Sequence, residues 1–121
     1  MSSTKPIGEK LGIRSGNRIL LISSPPGFSI DPLPPGASVD YAPPADCVLL
    51  FVSTKAEFLD RMPSAANSLS KLGALWVAYP KGSKVELNRD SLRELGAGIG
   101  FDTVALFALD DTWTALRFKR S

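Results

Sequence analysis

The chain has 121 residues, with 14 Lys and Arg against 12 Asp and Glu, a net charge of +2, and 44% hydrophobic residues. That is an ordinary globular composition, long enough for one domain with a sizeable core, and the charge excess is too small to argue for nucleic acid or a membrane surface as partner. With no histidine and a single cysteine, the chain excludes an internal disulfide, Ser-His-Asp and Cys-His catalytic arrangements, and zinc held by Cys and His. The free thiol suits a reducing compartment. Met1 to Lys10 lacks the apolar core of a signal peptide, and no run approaches the roughly 18 apolar residues of a membrane span. A cytoplasmic location is therefore expected.

In chain order, residues 1–4 read as a flexible end, and Lys5 to Leu11 as a short helix closed by Gly12. Arg14-Ser15-Gly16-Asn17 is a turn. Arg18 to Ser23 follows as a run of consecutive apolar residues, the pattern of a parallel strand buried on both faces. Residues 24–44 hold most of the ten prolines and cannot form a regular helix, although Ala37 to Asp40 can make a short strand. Cys47 to Val52 is a second buried run.

Thr54 and Glu57 form a capping box that opens a helix. Phe58, Met62, Ala65, Leu69 and Leu72 keep one apolar helical face, so the helix is predicted to run to Gly73, with a kink or restart at Pro63. Residues 73–82 contain a third buried strand that ends at Pro80 and gives way to a lysine-bearing loop. Asn88 caps a second helix, with Leu87 and Leu92 placed as a hydrophobic staple. Gly96, Gly98 and Gly100 release the chain into Thr103 to Leu109. The turn Asp110-Asp111-Thr112 then returns it as Trp113 to Phe118, an antiparallel hairpin. Helical crossovers between apolar strands predict a small α/β domain over residues 1–121. Its form is Rossmann-like and three-layered, with a mostly parallel sheet and a C-terminal antiparallel hairpin.

Several stretches resemble the S-adenosylmethionine-dependent methyltransferase fold in a trimmed form. Leu11-Gly12-Ile13 with Gly16 and Arg18-Ile19-Leu20 looks like the lead-in to that family's first strand. Ala45-Asp46-Cys47-Val48 and Leu72 to Val77 look like its fourth and fifth strands, and the final hairpin like its closing pair. The chain is also similar, through Pro26-Gly27-Phe28, Ala45-Asp46, Leu75 to Lys81 and Asp111 to Phe118, to a family of short bacterial proteins that form a domain of unknown function. The first resemblance implies S-adenosylmethionine as cofactor. The sequence departs from that pattern after the first strand, where Ser23-Ser24-Pro25-Pro26-Gly27 replaces a glycine-rich loop, and only Asp40 stands where an acid should follow the second strand.

Open parallel sheets bind ligands at the carboxyl ends of their strands. The residues expected at that cleft are Ser23, Gly27, Phe28, Asp46, Ser53, Tyr79, Lys81 and Lys84. The two lysines would face an anion, although a solvated loop explains them more simply. No catalytic residue and no metal ligand is assigned. Asp90 suits a helix N-terminus, Asp110 and Asp111 suit a turn, and Cys47, Trp76 and Trp113 suit packing. Three readings follow. The first is a non-catalytic small-ligand-binding or regulatory module on a degenerate methyltransferase-like scaffold. The second is a methyltransferase-like enzyme with an altered cofactor loop. The third is a homo-oligomeric interaction protein that pairs through its C-terminal edge strand.

Overall fold

A computed structural model describes residues 11–30, 33–40, 44–81 and 87–120, with only the backbone at 71 and 72. The consecutive apolar runs of the sequence become strands whose neighbouring side chains point to opposite sides, both of them dry. The strands and helices in chain order are β1 (Arg18–Ile22), β2 (Ser38–Val39), β3 (Ala45–Phe51), α1 (Lys55–Asn67), β4 (Leu69–Pro80), α2 (Arg89–Gly98), β5 (Phe101–Ala108) and β6 (Trp113–Arg120). They form one six-stranded sheet in the order β2-β1-β3-β4-β6-β5. The first four strands of that order are parallel, and β6 and β5 are antiparallel to their neighbours. This is the predicted α/β architecture, with its antiparallel C-terminal pair. The expected helix over residues 5–11 lies outside the described residues, apart from Leu11, which is buried.

Each face of the sheet has its own core. On one side Leu20, Val48, Leu50, Val77 and Phe118 pack with Phe58 and Met62 of α1 and Leu92 of α2. On the other, Ile19, Leu49, Phe51 and Trp76 pack with Leu11, Ile13 and Ile30. Both described helices therefore serve one face, and among the described residues irregular chain covers the other. That is why the proline-rich stretch carries Ile30 into the core rather than lying idle on the surface. No polar or charged side chain is buried among the described residues.

Both predicted helix starts are present. Thr54 accepts from the Glu57 amide and Glu57 reaches back, and Asn88 and Ser91 make the same reciprocal pair. Each such cap is worth about 1 kcal/mol. Leu87 and Leu92 are both fully buried, as a staple requires. Pro63 neither stops nor restarts α1, which runs unbroken from Lys55 to Asn67.

The end of α1 corrects the sequence reading. The helix stops at Ser68 and not at Gly73, and Leu69 already belongs to β4. Spacing misleads here because Leu69 continues the apolar helical face while its backbone pairs with Ala45. Between that pair and the next, Cys47 with Ala74, β4 advances five residues while β3 advances two. The excess chain forms a bulge, and Gly73 sits inside it. A Cβ on Gly73 would come within 2.8 Å of Leu69 Cδ2, 3.0 Å of the Ala45 carbonyl oxygen and 3.2 Å of the Asp46 carbonyl oxygen. Glycine is needed there for close approach, not to end a helix.

A second correction concerns the sheet's margin. The last strand in the chain, β6, is internal, held by β4 on one side and β5 on the other. The exposed edge is β5, where Val104, Leu106 and Phe107 are 49%, 44% and 44% accessible. β5 also begins at Phe101, two residues before the expected start.

Replacing Gly73 with alanine should lower stability by about 1–3 kcal/mol, the usual cost of forcing extra atoms into a filled space. In urea denaturation this would appear as a lower midpoint with an unchanged slope.

Candidate functional site

Parallel β1, β3 and β4 deliver their carboxyl ends to one edge. Ile22 is level with Leu50, and Phe51 with Ala78. Ser23, Ser53 and the segment from Tyr79 to Lys81 therefore emerge together. From β1 the chain first steps outward to β2, and later strands build the opposite way from β3. The order reverses between β1 and β3, and such a reversal leaves a crevice outside the strand ends because the two connections diverge.

The loop that leaves β1 is built by its prolines. The Phe28 amide donates to the Pro25 carbonyl at 3.1 Å, and Gly27 has φ of 79°. Proline followed by a left-handed glycine is the sequence signature of a type II turn. The turn lays Phe28 on Phe51, with ring centroids 4.8 Å apart, and Phe51 in turn meets Trp113 edge-on at 5.0 Å. Nothing lies within 4 Å of where a Gly27 Cβ would be, so this backbone faces open space. Ser23, exposed at the end of β1, has φ of 60°, uncommon for a residue with a Cβ.

The other expected site residues divide. The Ser53 amide donates to Glu57 Oε1 at 2.7 Å, so Ser53 extends the helix cap. That bond, with smaller help from Arg61, holds the Glu57 carboxyl below its ordinary value. Lys81 is exposed, and its amide donates to the Thr112 carbonyl at 2.8 Å, which ties the end of β4 to the hairpin turn. Tyr79 is at the right edge, but its side chain is in the helix-side core with Leu87 and Leu92. Burial raises its phenol pKa, with Arg89 opposing and Asp90 adding. Lys84 lies outside the described residues.

Asp46 does not belong to this group. It sits at the amino end of β3, where its Oδ2 accepts from the Arg18 amide at 2.9 Å and its Oδ1 from Ser70 Oγ at 3.2 Å. It ties the starts of three strands together at the edge opposite the crevice. Asp110 is likewise structural, with Oδ1 accepting from the Thr112 and Trp113 amides, both at 2.8 Å. Asp40, left out of the expected cleft, directly follows β2. Its Oδ2 accepts from Arg18 Nη2 at 2.9 Å and Nε at 3.2 Å, in a pair that is about two-fifths exposed. The register that sets Ser38 beside Arg18 brings it there. A parallel pairing of the two runs is the sequence signal that would have found it.

No group of His, Cys, Asp or Glu among the described residues is arranged to hold a metal ion. No helix among them is long and apolar enough to cross a membrane. Cys47 is buried in β3, between β1 and β4, and desolvation pushes its thiol up to about 12, against a weaker lowering influence from Arg117. Because the folded value is raised, the favourable contribution of the neutral thiol is whole below 9.0 and is lost as pH rises toward about 12. Cys47 should stay unreactive to a thiol-specific disulfide reagent at about pH 8 in the folded protein and react fully once guanidinium unfolds it.

No family model matches the chain, and no curated protein matches it. Solved structures do share its fold. DhpI in complex with SAH superposes with a TM-score of 0.64 at 9% identity, covering 96% of this chain and 82% of that one. A Burkholderia thailandensis 1,6-didemethyltoxoflavin-N1-methyltransferase, with bound 1,6-didemethyltoxoflavin and S-adenosylhomocysteine, gives 0.60 at 10% identity, over 95% and 75%. The ribosomal protein L11 methylase of Lactobacillus delbrueckii subsp. bulgaricus gives 0.58 at 10%, also over 95% and 75%. The chain therefore has a Rossmann-like, methyltransferase-like fold in trimmed form.

Proposed function

We propose that this is a methyltransferase-like protein that binds an S-adenosyl nucleoside at the carboxyl edge between β1 and β3. The observation that carries the reading is the strand reversal at that edge, flanked by the left-handed Ser23 and Gly27 and by Asp40 after β2. Support also comes from the solved structures of the same fold, which include complexes with SAH and SAM. The enzyme reading has more behind it than the non-catalytic one, for which the comparisons offer nothing.

The residues present fit such a group in kind. Gly27 offers a backbone that a ligand can approach without meeting a Cβ. Asp40 directly follows β2 with its carboxylate paired to Arg18, and it is the group that would accept the hydroxyl donors of a ribose. Ser23 adds a hydroxyl at the end of β1. The cofactor would supply a methyl group on a sulfonium, whose transfer depends on alignment with a nucleophile more than on an acid–base pair. A chain without histidine meets that requirement. Phe28, Phe51 and Trp113 form an aromatic wall on the same edge that would exclude water from one side of the crevice.

Thermal melting with S-adenosylmethionine, S-adenosylhomocysteine and ATP tests the reading. A ligand at 100 times its Kd adds about 2.7 kcal/mol to stability. Stabilisation by the two S-adenosyl compounds, reduced about tenfold in affinity by Asp40→Asn, is the expected result for loss of a charge-assisted hydrogen bond. The absence of any shift with either compound would remove the proposal.

A further inference from the structure

One strand of the sheet is out of keeping with its position. From Thr103 to Leu109 the chain carries no charge and is apolar at every residue after the first. Runs of that kind belong to strands covered on both faces. β3 has both the pattern and the surroundings, with six of its seven residues buried. β5 has the pattern but lies at the end of the strand order, and of its eight residues only Phe101 is buried.

The exposed side chains lie on both faces. Leu106 is opposite Leu116, which belongs to the helix-side core, and Phe107 is opposite Ala115, which belongs to the other core. Residues directly opposite in a ladder share a face, so Leu106 and Phe107 project to different sides of the sheet. Phe107 leans on Trp76, with ring centroids 5.6 Å apart, yet it stays 44% accessible, as does Leu106. A helix laid on one face would leave the other in water. A strand added alongside covers the margin of both faces at once. It also takes up the outward amides and carbonyls of β5, which face no other described strand. Val104 is the extra residue of a bulge, since the ladder passes from Thr103 opposite Phe118 to Ala105 opposite Arg117. The bulge bends the first half of the strand and leaves Ala105 to Ala108 as its regular stretch.

We propose that β5 pairs antiparallel with β5 of a second copy through Ala105 to Ala108, joining two six-stranded sheets across a two-fold axis. In such a pairing every contact is made twice, so the edge has to match only itself. A neutral edge has no charge with which to select a strand of different composition. Its own copy supplies a strand that is equally neutral and equally apolar, with no like charges brought together along the run. The opposite edge does not compete, since β2 has two residues. So short a pairing makes a small interface, and small interfaces belong to partners that exchange with their free forms. The proposal concerns the margin of the sheet and stands whether or not the crevice binds a nucleoside.

Sedimentation of the whole chain from about 1 μM to 1 mM tests it. Monomer and dimer should exchange reversibly, with no larger species. Leu106→Lys gives the edge the kind of charge that natural edge strands carry. It should weaken dimerisation at least tenfold and leave the melting temperature of the dilute, monomeric protein unchanged. Leu59→Lys removes an equally exposed leucine, 43% accessible on α1, and should leave the dimer intact. In hydrogen exchange, the amides of residues 105–108 that face away from β6 should be protected at high concentration. That protection should vanish on dilution and in Leu106→Lys. Should Leu106→Lys fail to fold, the concentration dependence of those amides in the unaltered chain decides. A chain that stays monomeric overturns the proposal and leaves the edge to a strand from another protein. A dimer that survives Leu106→Lys, or that Leu59→Lys weakens as much, overturns it too. So does a larger assembly, or a dimer in which those amides stay unprotected, since that would be a stacking of faces and not a pairing of strands.

Discussion

The pairing of β3 with β4 is the constraint on which the rest of the molecule depends. Val48, Leu49, Leu50 and Val77 are completely inaccessible, and their side chains point alternately into the two cores. Each such residue contributes about 1.5–3 kcal/mol by leaving water. Strands so dry cannot leave amides unpaired, so they must sit mid-sheet with a ladder on each side. Trp76 shows the same demand in a side chain, since its indole Nε1 donates to the Leu11 carbonyl at 3.2 Å. Once β3 and β4 are central, β1 and β6 must flank them, and the carboxyl ends of the parallel strands are gathered at one edge.

Much of this was legible in the sequence, because the strongest signals are local. Consecutive apolar residues marked β1, β3 and β4, and Thr54 with Glu57 and Asn88 before Leu92 marked the helix starts to within a residue. What sequence could not fix depends on contacts far along the chain. Leu69 fits a helical face and a strand equally well, and its pairing with Ala45 decides between them. The placing of β6 inside the sheet follows from the β4-to-β5 crossover passing over an empty position, which no local pattern records.

The candidate site follows the same division. Ser23, Gly27 and Phe28 could be placed at the carboxyl end of β1 because they follow a clear strand, and the turn chemistry of Pro26-Gly27 explains their shape. Asp46 was misplaced although the information was there. It precedes its run, and in a parallel sheet residues that precede strands share the edge opposite those that follow them. Its carboxylate instead joins the Arg18 amide and the Ser70 hydroxyl, which a sequence does not bring together. Asp40 was left out of the expected cleft because β2, which it follows, is only two residues long and almost invisible as a strand.

That brevity matters at the margins of the sheet. One edge, β2, offers two residues, and the other, β5, offers eight, three of them large, apolar and exposed. A sheet that could be extended from both sides would template open-ended fibres. Among the described residues β2 is too short to anchor another strand, which leaves β5 as the edge open to extension. Two copies meeting edge to edge would bury both long margins and present only stubs at either end, so lengthening would stop at the pair. The asymmetry lets the chain leave Val104, Leu106 and Phe107 in water without the lysines or prolines that usually guard such an edge.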